Sequence, residues 1–455
     1  MKKRAALILL MSMALVTSSC LCNVKEWWDA AFPDKQPTKI YPTSVDQPAK
    51  PTSEGMLSPS ATFPPTKPLE VSKPNIMTLK EEPNKVYCHA KIQNPNKEVW
   101  ISEYYRCALL DANGQVLGEG NKPVWISPAQ TAEFVVEITV PDTSLVTNAE
   151  VTRIMTREVA QVRQGDNQVT ASKAYYQQGY ESPVVTGQVT STFNQDLAAP
   201  NYTAVAYDAG GNMVGIGQTL GTRLPAGGTA PVEVPIKLNQ EPARVELYFT
   251  PDSFTSREPA LDQKLDVEKA EFIPPSESSG YTGGIGIILH NPDPERIALI
   301  IKYTAAAYDA AGNILAVCFE DQVAGVLFAG ERMGFGCFLR LPPGTSPARV
   351  EVIPIVEDAE SPWSEIRQNP LIAENIRVDV GIVATIRNTL PREFKSTYAV
   401  ALGYDAEGHI AGHGFYHLET MAANESREIE IGLYQGSAPI VRVDVYPVVC
   451  ITSFR

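Results

Sequence analysis

The sequence predicts an all-β protein built from four tandem immunoglobulin-like β-sandwiches. Three observations carry this. Proline accounts for 36 of 455 residues, and proline interrupts helices and central strands alike. One hairpin motif returns four times at nearly constant spacing. Short apolar runs alternate with polar residues between turn signals, the period of a half-buried strand. A hydrophobic content of 44 % and a charged content of 20 % are normal for a folded chain of several domains. The formal net charge of −14 excludes a nucleic-acid binder that relies on a basic footprint.

The first element is an address. Lys2, Lys3 and Arg4 precede an apolar stretch from Ala5 to Val16, which is short for a membrane span. Thr17-Ser18-Ser19-Cys20 follows and resembles the lipobox of bacterial lipoproteins, with Thr17 where that motif usually has leucine. The resemblance implies that residues 1–20 are a lipoprotein signal and that Cys20 carries lipid. An ordinary secretory cleavage or a short uncleaved anchor are the alternatives, and all three place the chain outside the cytoplasm. Residues 21–74 read as a tether. Ten prolines and ten serines or threonines fall in residues 33–74, a composition that cannot bury a core. At about 3.1 Å per residue this stretch reaches roughly 130 Å. Trp27 and Trp28 suit either the lipid headgroup level or a solvated linker.

The remainder is repetitive. The motif reads Leu110-Asp111-Ala112-Asn113-Gly114, Tyr207-Asp208-Ala209-Gly210-Gly211, Tyr308-Asp309-Ala310-Ala311-Gly312 and Tyr404-Asp405-Ala406-Glu407-Gly408, with aspartates 97, 101 and 96 residues apart. In each copy Asp111, Asp208, Asp309 or Asp405 accepts hydrogen bonds from turn amides. Gly114, Gly211, Gly312 or Gly408 supplies the positive φ of a type I turn with a bulge. An asparagine ending an apolar run precedes each motif: Asn94, Asn194, Asn291 and Asn388. A closing strand follows, Ala243-Arg244-Val245-Glu246, Ala348-Arg349-Val350-Glu351 and Val441-Arg442-Val443-Asp444, degraded in the first copy to Ala149-Glu150-Val151-Thr152. The copies are placed at 75–158, 168–257, 262–362 and 370–455. In the third, seven short runs read as strands, the number of an immunoglobulin domain. This pattern resembles the FxLYD family of immunoglobulin-like repeats in bacterial envelope proteins. The resemblance implies a fold and an envelope location, and no catalytic or binding residue.

Six cysteines remain beyond Cys20. Cys88 and Cys107 fall in one copy at core-facing positions; Cys318 and Cys337 fall in the third copy, where Cys337 aligns with Ile431 and Cys318 with glycines. Each pair is a candidate inter-sheet disulfide, with buried thiols as the alternative. Cys450 aligns with Glu357 and Asp252, which predicts exposure.

The chemistry-bearing candidates are few. His409, His413 and His417 would share one helical face, but His409 occupies the turn, so the segment is a strand. Four strand positions span about 13 Å, too far for two side chains of one strand to share a zinc. His413 and His417 stay as weak metal candidates, His413 with a ligand from a neighbouring strand. The Asp-Ala-x-Gly turns lack the ligand set of calcium loops. Gly215-Ile216-Gly217-Gln218-Thr219-Leu220-Gly221 lacks the helix a nucleotide site needs. Tyr175, Tyr176 and Tyr180 suit a carbohydrate or protein ligand, or packing of an interdomain linker. No catalytic constellation or cofactor motif stands out. The expectation is a non-catalytic, surface-exposed, lipid-anchored array for binding, adhesion or scaffolding. Its partners are the membrane, through lipid on Cys20, and a protein or carbohydrate ligand, not nucleic acid. The alternatives are an accessory subunit of an envelope transport or secretion complex, or a metal protein using the fourth copy's histidines.

Overall fold

The computed structural model describes residues 67–450 except 98, 162–168, 180–181, 222, 251–255, 260–261, 277–281, 343, 359–365 and 379–380. The signal, Cys20 and the tether up to residue 66 lie outside the described residues. All described residues belong to one compact unit, Phe63–Arg455.

The chain is all-β, with four sandwiches in tandem. The third copy shows the plan. Its six strands are Asp266–Ile273, Thr282–His290, Ala298–Tyr308, Ile314–Leu327, Arg332–Arg340 and Arg349–Asp358. Strands one, two and five form a front sheet, and strands four, three and six form a back sheet, all antiparallel. The sequence predicts seven strands here. The runs 313–319 and 322–328 are instead one long strand whose pairing slips at two bulges, so no turn divides them. Alternation sorts the residues as period two requires: Ile285, Ile287 and Leu289 face the back sheet, across from Ala305 and Ala307. Each copy closes one such core, and each fully buried large apolar side chain contributes about 1.5–3 kcal/mol.

The other copies follow the plan with local changes. Glu70–Val71 already pairs with the second strand of the first copy, Glu82–Gln93, so the tether predicted to reach residue 74 gives way to the sandwich earlier. That copy's closing strand, Asn148–Gln161, also runs past the predicted boundary at 158. In the second copy the ends of strands three, four and six separate into a small sheet of Gln195–Ala198, Arg223–Leu224 and Ser256–Pro259. In the last two copies the back sheets join, because Gly325 and Val326 pair with Cys450 and Val449. The result is one seven-stranded sheet. Cys450 is buried in it, against the predicted exposure, because this sheet junction covers an edge that alignment to the other copies leaves open.

The copies stack. The outer face of each front sheet packs on the outer face of the next copy's back sheet. From first to second, Met77, Leu79, Tyr87 and Val135 meet Val205, Tyr207, Met213 and Ile216. From second to third, Gln177 and Thr186 donate to the carbonyls of Leu315 and Ile314, and the Val317 N–H donates to Glu233. From third to fourth, Ile273 and Ile288 meet Leu402, Tyr404 and Ile410. The two remaining outer faces carry exposed ion pairs. The first back sheet carries an Arg106–Glu119 pair, and the last front sheet carries Arg387–Glu374 and Arg377–Glu428 pairs.

Candidate functional site

The four hairpins form as predicted. Gly114, Gly211, Gly312 and Gly408 have φ of 79°, 82°, 84° and 84°. The side chains of Asp111, Asp208, Asp309 and Asp405 each accept from the backbone N–H four residues on, at 2.8 Å in every copy. The register slips just before each turn, which is the expected bulge. Asn212 and Asn313 amides, with the turn N–H groups, hold Asp208 and Asp309 below the usual carboxylate range. The asparagines are equally structural. Asn291 is buried, and its amide donates to the carbonyls of Arg296, Leu327 and Phe328, tying the connection between the sheets to the end of strand four. Asn94 and Asn388 do the same. In the second copy the anchor is Ser191, not Asn194. Ser191 N–H donates to Gly228 as Asn94, Asn291 and Asn388 donate to Gln130, Glu331 and Glu425, whereas Asn194 is exposed.

Cys88 and Cys107 form a disulfide across the two sheets of the first copy. Closing a loop of this length stabilises by about 3 kcal/mol in the chain-entropy view. Cys88→Ala/Cys107→Ala is expected to lose roughly that amount in urea unfolding, with the first copy melting first. An unchanged midpoint would show that the bond adds nothing. Cys318 and Cys337 are buried and stay thiols, each one strand outward from the bridge positions, opposite Ala305 and Ile285. The second candidate bridge is therefore not formed, and the alternative of buried thiols holds, with both positions in the core of the third copy.

The junctions explain the repeated residues that turn chemistry leaves over. Tyr207, Tyr308 and Tyr404 are buried on the outer faces of their back sheets. The guanidinium carbons of Arg244, Arg349 and Arg442 lie 4.4, 3.7 and 4.1 Å from those ring centroids, a cation–π stack made three times. The first copy has Leu110 at the tyrosine position, and the residue paired with it is Asn148. The degraded strand therefore aligns two residues earlier than its sequence suggests, as Thr147-Asn148-Ala149-Glu150. Among the described residues no copy covers that back sheet, so its face needs no docking pair. The first junction adds a buried His89–Glu133 pair beside the Tyr207 ring, and Lys91 bridges to Glu246 at 2.7 Å.

His413 is the buried histidine of the third junction. Its ring sits over Gly284 and Gly336, beside the Phe338 and Tyr434 rings at 4.9 and 5.5 Å. One ring nitrogen bonds the Cys337 backbone, and Nε2 has no hydrogen-bond partner among the described residues. His417 packs on Tyr398 at 4.9 Å, and His409 bonds Glu271 at 2.8 Å. No group of three potential metal ligands occurs among the described residues. The histidines thus serve packing and junction bonds, and the metal reading gains nothing from this geometry. Burial pushes His413 down to about 4. A depressed pKa means that its contribution is full above pH 6.5 and is lost as pH falls towards 4, roughly 3 kcal/mol in all. Glu331, at the same junction, has the opposite sign. Burial pushes it up to about 7, so its contribution is present below about pH 4.5 and lost as pH rises through 7. The difference between wild type and His413→Phe therefore isolates the histidine. The variant is expected to lose stability less steeply between pH 6.5 and 4, and parallel pH profiles would exclude the junction effect.

Sequence reasoning missed the role of glycine here. Gly284, Gly286, Gly334 and Gly336 line the outer face of the third front sheet, and added methyl groups would meet His413, Ile410, Tyr446 and Leu402. The alternating Gly284-Ile285-Gly286 and Gly334-Phe335-Gly336 are the readable signal: glycine inside a strand marks close approach.

Of the tyrosine cluster, Tyr180 lies outside the described residues. Tyr175 is 48 % exposed and Tyr176 packs on the core of the second copy. Both line an open cleft of about 800 Å³ with Gln178, Asn239, Gln240 and Glu241.

No family model matches the chain, and no curated protein matches it. Among solved structures it is similar to the tetra-tandem repeat in the extending region of a large adhesion protein, at 10 % identity over 84 % of this chain and 98 % of that one, with a TM-score of 0.11. It is also similar to the native conformation of E. coli alpha-2-macroglobulin, at 9 % identity over 83 % of this chain and 29 % of that one, with a TM-score of 0.12. At these scores neither likeness bears on function.

Proposed function

We propose that the chain is a non-catalytic, lipid-anchored envelope protein of the FxLYD-like kind, holding a binding or scaffolding surface away from a bacterial membrane. The observation that carries this reading is the stacking. Three successive junctions bury one face of each copy on the next through the same Tyr–Arg element. Repeats that contact only their neighbours form quasi-one-dimensional arrays that present extended surfaces. Here the repeated residues are used in turns, cores and junctions, which is how a spacer uses its sequence. The anchor is the Thr17-Ser18-Ser19-Cys20 signal, and residues 21–66 are the tether. Two measurements test this. Cells fed an alkynyl fatty acid are expected to label the wild-type protein and not Cys20→Ala. Label retained by the variant overturns the anchor. Small-angle scattering of the purified chain is expected to require the four copies to move as one stiff array. Four independently tumbling copies would overturn the scaffold.

A further inference from the structure

We propose that the open cleft of the second copy is a binding site for a neutral oligosaccharide. The inference rests on the array reading above and gives it a ligand class.

The cleft joins two chemistries. Tyr175 offers half of a large aromatic ring to solvent, and Tyr176 stands beside it. Aromatic faces accept the apolar C–H face of a sugar ring. Around them stand Gln178, Asn239, Gln240 and Glu241. Planar amides donate to and accept from neighbouring hydroxyls, and a carboxylate accepts from them in pairs. No lysine or arginine is among the described residues that line the cleft, and Glu241 adds negative charge. A phosphate, sulfate or sialylated ligand would find no counter-charge there. Water-exposed aromatic area next to uncharged amides is matched by a polyol with one apolar face. The volume of about 800 Å³ lies in the range of small-ligand sites.

The floor is fixed before any ligand arrives. Gln177, between the tyrosine and Gln178, turns inward and donates to the Leu315 carbonyl of the third copy at 2.6 Å. Tyr176 is held on the core of its own copy. The Asn239 N–H donates to Val214 at 2.9 Å, which sets the opposite wall. The register of the first strand slips between Ser172 and Tyr175, with Lys173 at φ 53°. A bulge of this kind re-aims the side chains that follow it. Less ordering is then left for the ligand to impose, which favours affinity.

The test uses the purified full chain in detergent, titrated calorimetrically with maltotriose, cellotriose and triacetylchitotriose, with 3′-sialyllactose as the anionic comparator. At least one neutral trisaccharide is expected to bind at millimolar concentration or below, and more tightly than sialyllactose. Saturation transfer is expected to mark its ring C–H protons. Tyr175→Ala is expected to weaken binding about tenfold or more, and Tyr175→Phe to retain it. Tyr175 is a surface side chain, so an unchanged melting point confirms that both variants are folded. Three outcomes overturn the proposal: no binding of any neutral trisaccharide, equal or tighter binding of sialyllactose, or unchanged neutral-sugar binding in Tyr175→Ala. The last places a ligand elsewhere on the chain, so the cleft fails while the array reading stands.

Discussion

Replacing Tyr308 by alanine is expected to destabilise the array by roughly 3–5 kcal/mol, the cost of deleting a fully buried aromatic side chain. The ring is enclosed between the second and third copies, with Ala306, Ile314 and Val317 on its own sheet. Its face carries Arg349, and its hydroxyl reaches Gln188 of the second copy and Glu351. Alanine leaves a void, releases the arginine and removes the link to the preceding copy. Because copies stabilise one another through nearest neighbours, the loss should appear as a split urea transition, the first two copies separating from the last two. Leu110→Ala is the comparator. It changes the equivalent position on a face that no other copy covers among the described residues, and its expected cost is under about 1 kcal/mol. Equal effects of the two substitutions would show that the tyrosine acts in the turn rather than in docking.

The second large effect is steric. Gly286 and Gly336 are cross-strand partners on the third front sheet. An added methyl at Gly286 runs into Ile410, and one at Gly336 runs into His413, in both cases well inside van der Waals contact. Overpacking of this kind costs about 1–3 kcal/mol per site, and two adjacent sites that push the same sheet away are coupled. Gly286→Ala/Gly336→Ala is therefore expected to open the junction of the third and fourth copies. Amide exchange would rise in Ile410–Met421 and Thr282–His290 while the cores of the first two copies stay protected. Uniform protection in the double variant would sink the close-approach argument.

Much of this was legible in the sequence, for reasons that differ by residue. Asp309 and Gly312 announce a turn because their chemistry is local, and a copy can be counted by counting them. Cys88 and Cys107 could be paired because period two put both inward on strands that face each other. Other features depended on contacts far apart in sequence. Asn194 looks like the anchor of the second copy, yet Ser191 fills that place: its hydroxyl makes one of the anchor's bonds, and it stands 17 residues before Asp208, as Asn94 stands 17 before Asp111. Cys450 reads as exposed within its own copy and is covered by the sheet of another. The glycines of the third front sheet read as loose strand positions until His413 and Ile410 are found over them. Tyr404 reads as part of a turn motif, although its ring works at a junction. Residues that act within a copy were readable, and residues that act between copies were not.

The uncovered outer faces at the two ends of the stack have a consequence for assembly. Front on back is a heterologous contact: the two surfaces differ, and repeating the operation does not close a ring. Nothing in such an operation limits the number of units, so molecules with sticky ends would add head to tail into filaments. Leu110 and Asn148 at one end, and Glu428 and Glu430 where the third copy has Gly334 and Gly336, remove the complementary pair from both growing tips. A chain carrying Leu110→Tyr, Asn148→Arg, Glu428→Gly and Glu430→Gly is expected to scatter light increasingly with concentration. A variant that stays monomeric would mean that something other than these four side chains terminates growth. On this reading the weakest-looking copy, the one that departs most from its siblings, is what keeps a polymerisable surface from polymerising.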